Sequence, residues 1–168
     1  MTNGKFYSNL VRLYHSTFNR EADMPGLEYW ASQLAKGEIT FEDVTEQFIA
    51  SQEFTNTYLG GDENLELTNE DFILILYRNV LNREPDPAGQ EYWLNSLDQG
   101  LSQRNALLGF SDSEEHIKHI QDNYPEELQA AEQIEQGINT DEENTEQQSL
   151  QEQDREVDHQ DPEDHDRE

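Results

Sequence analysis

Two residue pairs in this chain have the types and spacing to do chemistry, and they occur twice. Arg20 and Asp23 stand three apart, and so do Arg83 and Asp86. An aspartate can hold a small cation or a sugar hydroxyl, and a guanidinium can fork onto a carboxylate. Each pair is followed by a Tyr-Trp dipeptide, Tyr29-Trp30 and Tyr92-Trp93, and paired aromatics can form a platform for a carbohydrate or a peptide. Arg20, Asp23, Tyr29, Arg83, Asp86 and Tyr92 are therefore the candidate binding residues. Each has a structural alternative that the local sequence favours for the charged pairs. Asp86-Pro87 is a helix-start signal, with Asp as N-cap and Pro at the first helical position, so the aspartates would cap while the arginines tie the turn to a nearby carboxylate. Trp30 and Trp93 stand four residues after Gly26 and Gly89, a spacing that points to packing, so these four are read as structural core.

Other chemistry finds little support. His116 and His119 are three apart beside Glu114 and Glu115, a spacing that could put two imidazoles on one helix face, but no third ligand follows at a supporting distance. A solvated helix face is the expectation for both. The acidic stretch 62–66 does not follow the ligand order of a calcium loop. There is no nucleophile elbow, phosphate-binding glycine loop or zinc-protease motif, and no cysteine. The expectation is a protein without catalytic residues, metal site or cofactor.

The elements that must position these residues come from a repeat. Tyr14 to Gly37 returns as Tyr77 to Gly100, with 11 of 24 positions identical, and one deleted residue later Phe48 meets Phe110 and Ser51-Gln-Glu53 meets Ser113-Glu-Glu115. In the first helix of each unit Leu10, Tyr14 and Phe18 recur at spacing four, as do Ile73, Tyr77 and Leu81, with Leu13 and Leu76 widening the stripe. Pro85 is expected to end that helix in the second unit at Glu84. The second helix carries the Gly-Trp-Leu ridge and stops at Gly37 or Gly100. The third opens at Thr40 with a capping-box pattern, and at Ser102 in the second unit. A further short helix from Ser113 to about Gln121 closes the fold. The predicted fold class is thus all-α: two three-helix repeats packed as one compact domain. The repeats span residues 6–59 and 68–121, with a linker at 60–67, a short marginal helix within 122–138 and a disordered acidic tail at 139–168.

Charge is distributed unevenly over this plan. The formal net charge is −28, and residues 122–168 hold 18 acidic and two basic residues. So acidic a chain should be repelled by nucleic acid and by anionic lipid, leaving basic proteins and divalent cations as electrostatic partners. From residue 139 onward only Leu150 and Val157 are large and apolar, too little to offset about 1–2 kcal/mol per residue of chain entropy. No apolar run approaches a membrane span, and the N-terminus has no signal-peptide apolar region. Two locations fit: the cytoplasm, or a secreted or cell-surface site reached without a cleaved N-terminal signal.

The string from Leu76 to Trp93, with Leu97, Gly100 and Ser113-Glu-Glu115, resembles the bacterial domain-of-unknown-function family 4214, and the first unit resembles it from Leu13 to Phe54. The resemblance covers roughly residues 6–120. It departs at Ala22-Asp-Met-Pro25, where the usual Pro-Asp is missing, and at Gly109-Phe-Ser-Asp-Ser113, where the third helix is expected to break early. A looser resemblance is to phycobilisome linker domains. The family likeness implies a non-catalytic interaction module, often repeated in secreted or surface proteins, whose partner is a protein or an extracellular matrix component such as a polysaccharide. A carbohydrate- or calcium-binding surface protein is the alternative, and a small enzyme the third.

Overall fold

The structure is a computed structural model that describes residues 6–137; the acidic tail expected at 139–168 lies outside the described residues. Among them every regular element is a helix. The first copy comprises α1 (Phe6–Phe18), α2 (Met24–Ala35), α3 (Phe41–Ile49) and α4 (Gln52–Tyr58). The second comprises α5 (Asn69–Leu81), α6 (Pro87–Asp98), α7 (Gln103–Ser111) and α8 (Glu114–Asn123). Every helix of the second copy starts in register with its counterpart, so the duplication in sequence is a duplication of helix boundaries. The fourth helix extends the three-helix unit read from sequence. In the first copy it starts at Ser51, whose hydroxyl accepts from the Phe54 amide, and it is only 7 residues long.

The chain divides into two units, Met1–Glu132 and Gln133–Glu168. Both copies and the stretch 60–67 between them lie in the first unit, together with helical residues 125–132. In the second, the described residues 133–137 are helical.

The boundaries follow from local chemistry. Seven helix starts are capped by the side chains of Asp23, Thr40, Ser51, Thr68, Asp86, Ser102 and Ser113, and Thr40 with Asp43 forms a complete capping box. Each such cap is worth about 1 kcal/mol relative to alanine. The first helix of each copy ends earlier than Pro85 requires. Asn82 is left-handed with φ 50°, and so is Asn19 at φ 51°. Asparagine tolerates this region better than other side chains, so the repeated Asn, rather than the proline, terminates the helix. Gly37 and Gly100 close the second helix at φ 68° and 105°. The third helix of the second copy is not broken early. It runs the same 9 residues as its counterpart, and its Gly109 lies against the Trp93 ring, where a Cβ would come within 3.2 Å.

The core is built from α1 and α5, which pack against each other, with α3 against α7. Leu10, Val11, Leu13, Phe72, Ile73, Leu76, Val44 and Ala106 are fully enclosed. Helix α1 also packs on α7 and α8 of the second copy. Tyr58, at the end of α4, ties the copies together. Its hydroxyl donates to the Thr17 carbonyl at 2.8 Å and accepts from the Asn79 amide.

Candidate functional site

Both copies build the same turn between their first two helices. After the left-handed asparagine, Arg20 Nε and Nη2 donate to the two oxygens of Glu53 at 2.6 and 2.8 Å. In the second copy Arg83 makes the same fork to Glu115, at 3.1 and 3.3 Å. Each guanidinium also lies over the tyrosine ring of its own copy, 5.1 Å from the Tyr14 centroid and 5.0 Å from that of Tyr77. A planar fork on a flat ring uses both properties that distinguish arginine from lysine. The arginine thus joins the first helix to the start of the fourth.

Asp23 and Asp86 sit beside these arginines, at 3.5 and 3.4 Å. Each accepts the backbone N–H at the first turn of the second helix, from Gly26 and from Gly89, at 3.0 Å in both cases. That bond holds the Asp86 carboxyl below the usual range, with Arg83 adding to the effect. Both aspartates are therefore engaged within the chain as caps and ion-pair partners.

The glycines of the second helix have a steric cause. A Cβ at Gly26 would fall inside contact distance of the Tyr14 hydroxyl, and one at Gly89 inside that of Tyr77. Burial pushes both phenols up in pKa, and the neighbouring Asp23 and Asp86 carboxylates push further in the same direction, so the hydroxyls stay protonated. The tyrosines stand edge-on to Phe48 and Phe110, with centroids at 4.9 and 5.2 Å. Trp30 and Trp93 cover the same phenylalanines at 5.6 and 4.7 Å. Both indoles are half-buried rather than enclosed. Their outer neighbours, Tyr29 and Tyr92, stand edge-on to them and are 56% and 65% exposed.

The model of a domain of unknown function (DUF4214) matches the chain twice, over residues 2–58 and 45–120. The chain belongs to the DUF4214 family. No curated protein and no solved structure matches it. Each DUF4214 match contains one whole turn, from its asparagine through its capped aspartate to the glutamate that receives the arginine fork. Both matches end before Tyr124, so Glu127, which meets His15 in the contact described next, lies beyond the matched region.

Three histidines gather where α1 meets α8 and residues 125–132. His116 is fully buried, contrary to the solvated helix face expected for it. Its Nδ1 lies 3.0 Å from the Val80 carbonyl, and its Nε2 lies 3.0 Å from Ser16 Oγ and 3.3 Å from the Arg12 carbonyl. Nδ1–H can donate to Val80, while the Ser16 hydroxyl, which donates to the Arg12 carbonyl at 2.7 Å, is the nearest side-chain group to Nε2. Burial lowers the pKa to about 4, against the opposing pull of the two carbonyls. The repeat carries the signal for this burial: His116 follows Ser113-Glu-Glu115 as the buried Phe54 follows Ser51-Gln-Glu53. His119 is half-buried. His15 Nε2 lies 2.7 Å from Glu127 Oε2, under the Tyr124 ring at 4.2 Å. The other Glu127 oxygen accepts from the Ala22 amide at 2.8 Å, clasping residues 125–132 to the first turn. Neither His15 nor Glu127 stands out in the sequence, because 112 residues separate them.

Among the described residues no group of three His, Asp or Glu side chains could hold a metal ion, and no helix is long and apolar enough to cross a membrane. Asp62 bonds to Asn64, N and Nδ2 at 2.9 and 3.0 Å, a local turn.

Proposed function

We propose that this chain is a non-catalytic helical interaction module that contacts another protein or an extracellular matrix component through its two tyrosine faces. One observation carries the reading. Tyr29 and Tyr92 occupy equivalent positions, are 56% and 65% exposed, and stand edge-on to half-buried indoles that pack on Phe48 and Phe110. Exposed rigid aromatics present contact area at low entropic loss on binding. The duplicated Arg and Asp side chains, by contrast, are engaged in caps and forks, which argues against them as the contact.

A carbohydrate partner is the second reading, favoured by the same Tyr-Trp edges. A calcium site on Asp23 and Asp86 has less support, since each carboxylate already faces an amide and a guanidinium.

The test uses the full chain and its Tyr29→Ser/Tyr92→Ser variant, immobilised and exposed to cell-envelope and culture-supernatant fractions. A protein or polysaccharide held by the wild type and lost by the variant, with unchanged melting temperature, supports the proposal. Equal retention by both overturns it. Tryptophan fluorescence titration with soluble oligosaccharides separates the carbohydrate reading, because a sugar on the tyrosine must perturb the indole beneath.

A further inference from the structure

A second surface, unrelated to the duplicated turns, lies where the copies join. A groove of about 680 Å³ runs between α3, α4, the 60–67 stretch and α7. Its apolar walls include Ile49, Leu59, Leu65 and Leu67. Leu65 is 53% exposed, one of few large apolar side chains so placed among the described residues. Glu63 and Glu66 alternate with these leucines and line the same groove. A shallower extension of about 370 Å³ shares Ile49, Ala50 and Gln103 with it and reaches Glu46. A third of about 280 Å³ continues past Glu46 to Asp43.

The charged residues of the lining are acidic with one exception. Among the described residues that line the three stretches, the cation is Arg104, and its Nη1 already donates to Glu46 at 2.7 Å. An apolar floor with an acidic edge has a defined complement: apolar side chains on one face, with lysines or arginines flanking them. This chain does not supply that complement. Its own C-terminal residues and a second copy both carry the wrong sign, at −28 per chain.

The floor is also held in place. The Gln103 side chain donates to the Leu67 carbonyl at 3.3 Å, fixing the end of the 60–67 stretch to α7. Gly60 and Gly61, at φ 64° and 83°, set its beginning, and the Gly61 amide bonds back to Thr55 at 3.1 Å. A preformed groove spends little binding energy on ordering itself.

We infer that this inter-repeat groove docks a cationic amphipathic segment of another protein, its leucine-like side chains on Ile49, Leu59 and Leu65 and its lysines or arginines on Glu63 and Glu66. Among the described residues the surface belongs to the junction, because it needs the third and fourth helices of one copy and the third of the next. It does not depend on the tyrosine faces.

The probe is a fluorescein-labelled amphipathic helix of lysine and leucine, titrated with the full chain by anisotropy in roughly 0.15 M salt, where diffuse attraction is screened beyond ~8 Å. Two further peptides serve as arms: one keeps the lysines but replaces leucine by serine, the other keeps the leucines but replaces lysine by glutamate. The expected result is saturable binding of the lysine-leucine peptide, weakened roughly ten-fold or more, about 1.4 kcal/mol, by Leu65→Ser with Glu63→Gln and Glu66→Gln. Tyr29→Ser/Tyr92→Ser should leave it unchanged. All substituted positions are exposed, and melting temperature checks each variant; Glu63→Lys/Glu66→Lys, which keeps Leu65, should abolish binding by charge reversal. Equal binding of the lysine-serine peptide would show general attraction to an acidic chain and overturn the inference. So would equal binding of the glutamate-leucine peptide, or indifference to the groove substitutions.

Discussion

Acid should destabilise the fold through His116. The perturbation is a fall from pH 7.5 to 4.5. In the folded chain the imidazole is enclosed between Val80 and Ser16 with a pKa of about 4, lowered first by burial and further by the nearby His119 and His15. In the unfolded chain it should titrate near 6.5. The unfolded state therefore binds a proton that the folded state refuses throughout the interval between those values. Stability that is present in full above pH 6.5 is lost as pH falls, and the loss is complete once pH is below about 4. At pH 4.5 the difference amounts to roughly 2 to 3 kcal/mol, a large share of a small domain's stability. Protonation of surface carboxylates over the same range relieves repulsion in so acidic a chain and acts in the opposite direction. The measurement must therefore be a difference. Urea unfolding followed by circular dichroism at both pH values, on wild type and on His116→Phe, isolates the ring. Phenylalanine is what the first copy carries at the equivalent position, Phe54. His116→Gln, which keeps a donor for Val80, serves if the phenyl ring disturbs the site. Wild type should lose roughly 2 to 3 kcal/mol more than the variant. Parallel losses would show that His116 is charged or hydrated in the native state, and the reasoning about its burial would fail.

Two further outcomes follow from the duplicated turn. Gly89→Ala should destabilise by more than ~1 kcal/mol although alanine is the better helix former, because its Cβ meets the Tyr77 hydroxyl; Tyr77→Phe should recover part of the loss in a double-mutant cycle read by thermal melts, and additive effects would refute the contact. Trp93→Ala should cost about 2 kcal/mol, less than the ~3–5 of an enclosed aromatic, since the ring packs on Phe110 but is only half-buried; chemical denaturation checks it, and a near-neutral result would detach the indole from the core.

Much of this arrangement can be read in the residues because it is written locally. Asp86-Pro87, Thr40 to Asp43 and the glycines at 37 and 100 each act within one turn of helix, so their spacing reveals their role. The Gly-Trp-Leu ridge is legible for the same reason, though the cause of the glycine, a tyrosine hydroxyl twelve residues earlier in each copy, is tertiary. What sequence reading misses is of two kinds. Helix α4 is too short to show a period, and only the alignment of Ser51 with Ser113 marks its start. His116 and Glu115 were within reach, because aligning them with Phe54 and Glu53 assigns one to the interior and the other to an arginine. The Glu127 clasp and the Tyr58 bridge join segments with no relation in the repeat, and only the folded chain brings them together. Residues 125–132 add such contacts to their helical composition, with Ala131 enclosed.

The sharing of α1 between copies has a consequence for how such a chain can change. A helix that lies against its own unit and also against α5, α7 and α8 is common property. Once the two halves had exchanged partners in this way, removing either would strip the other of its wall. The pair, rather than either copy alone, is the smallest part whose packing is complete.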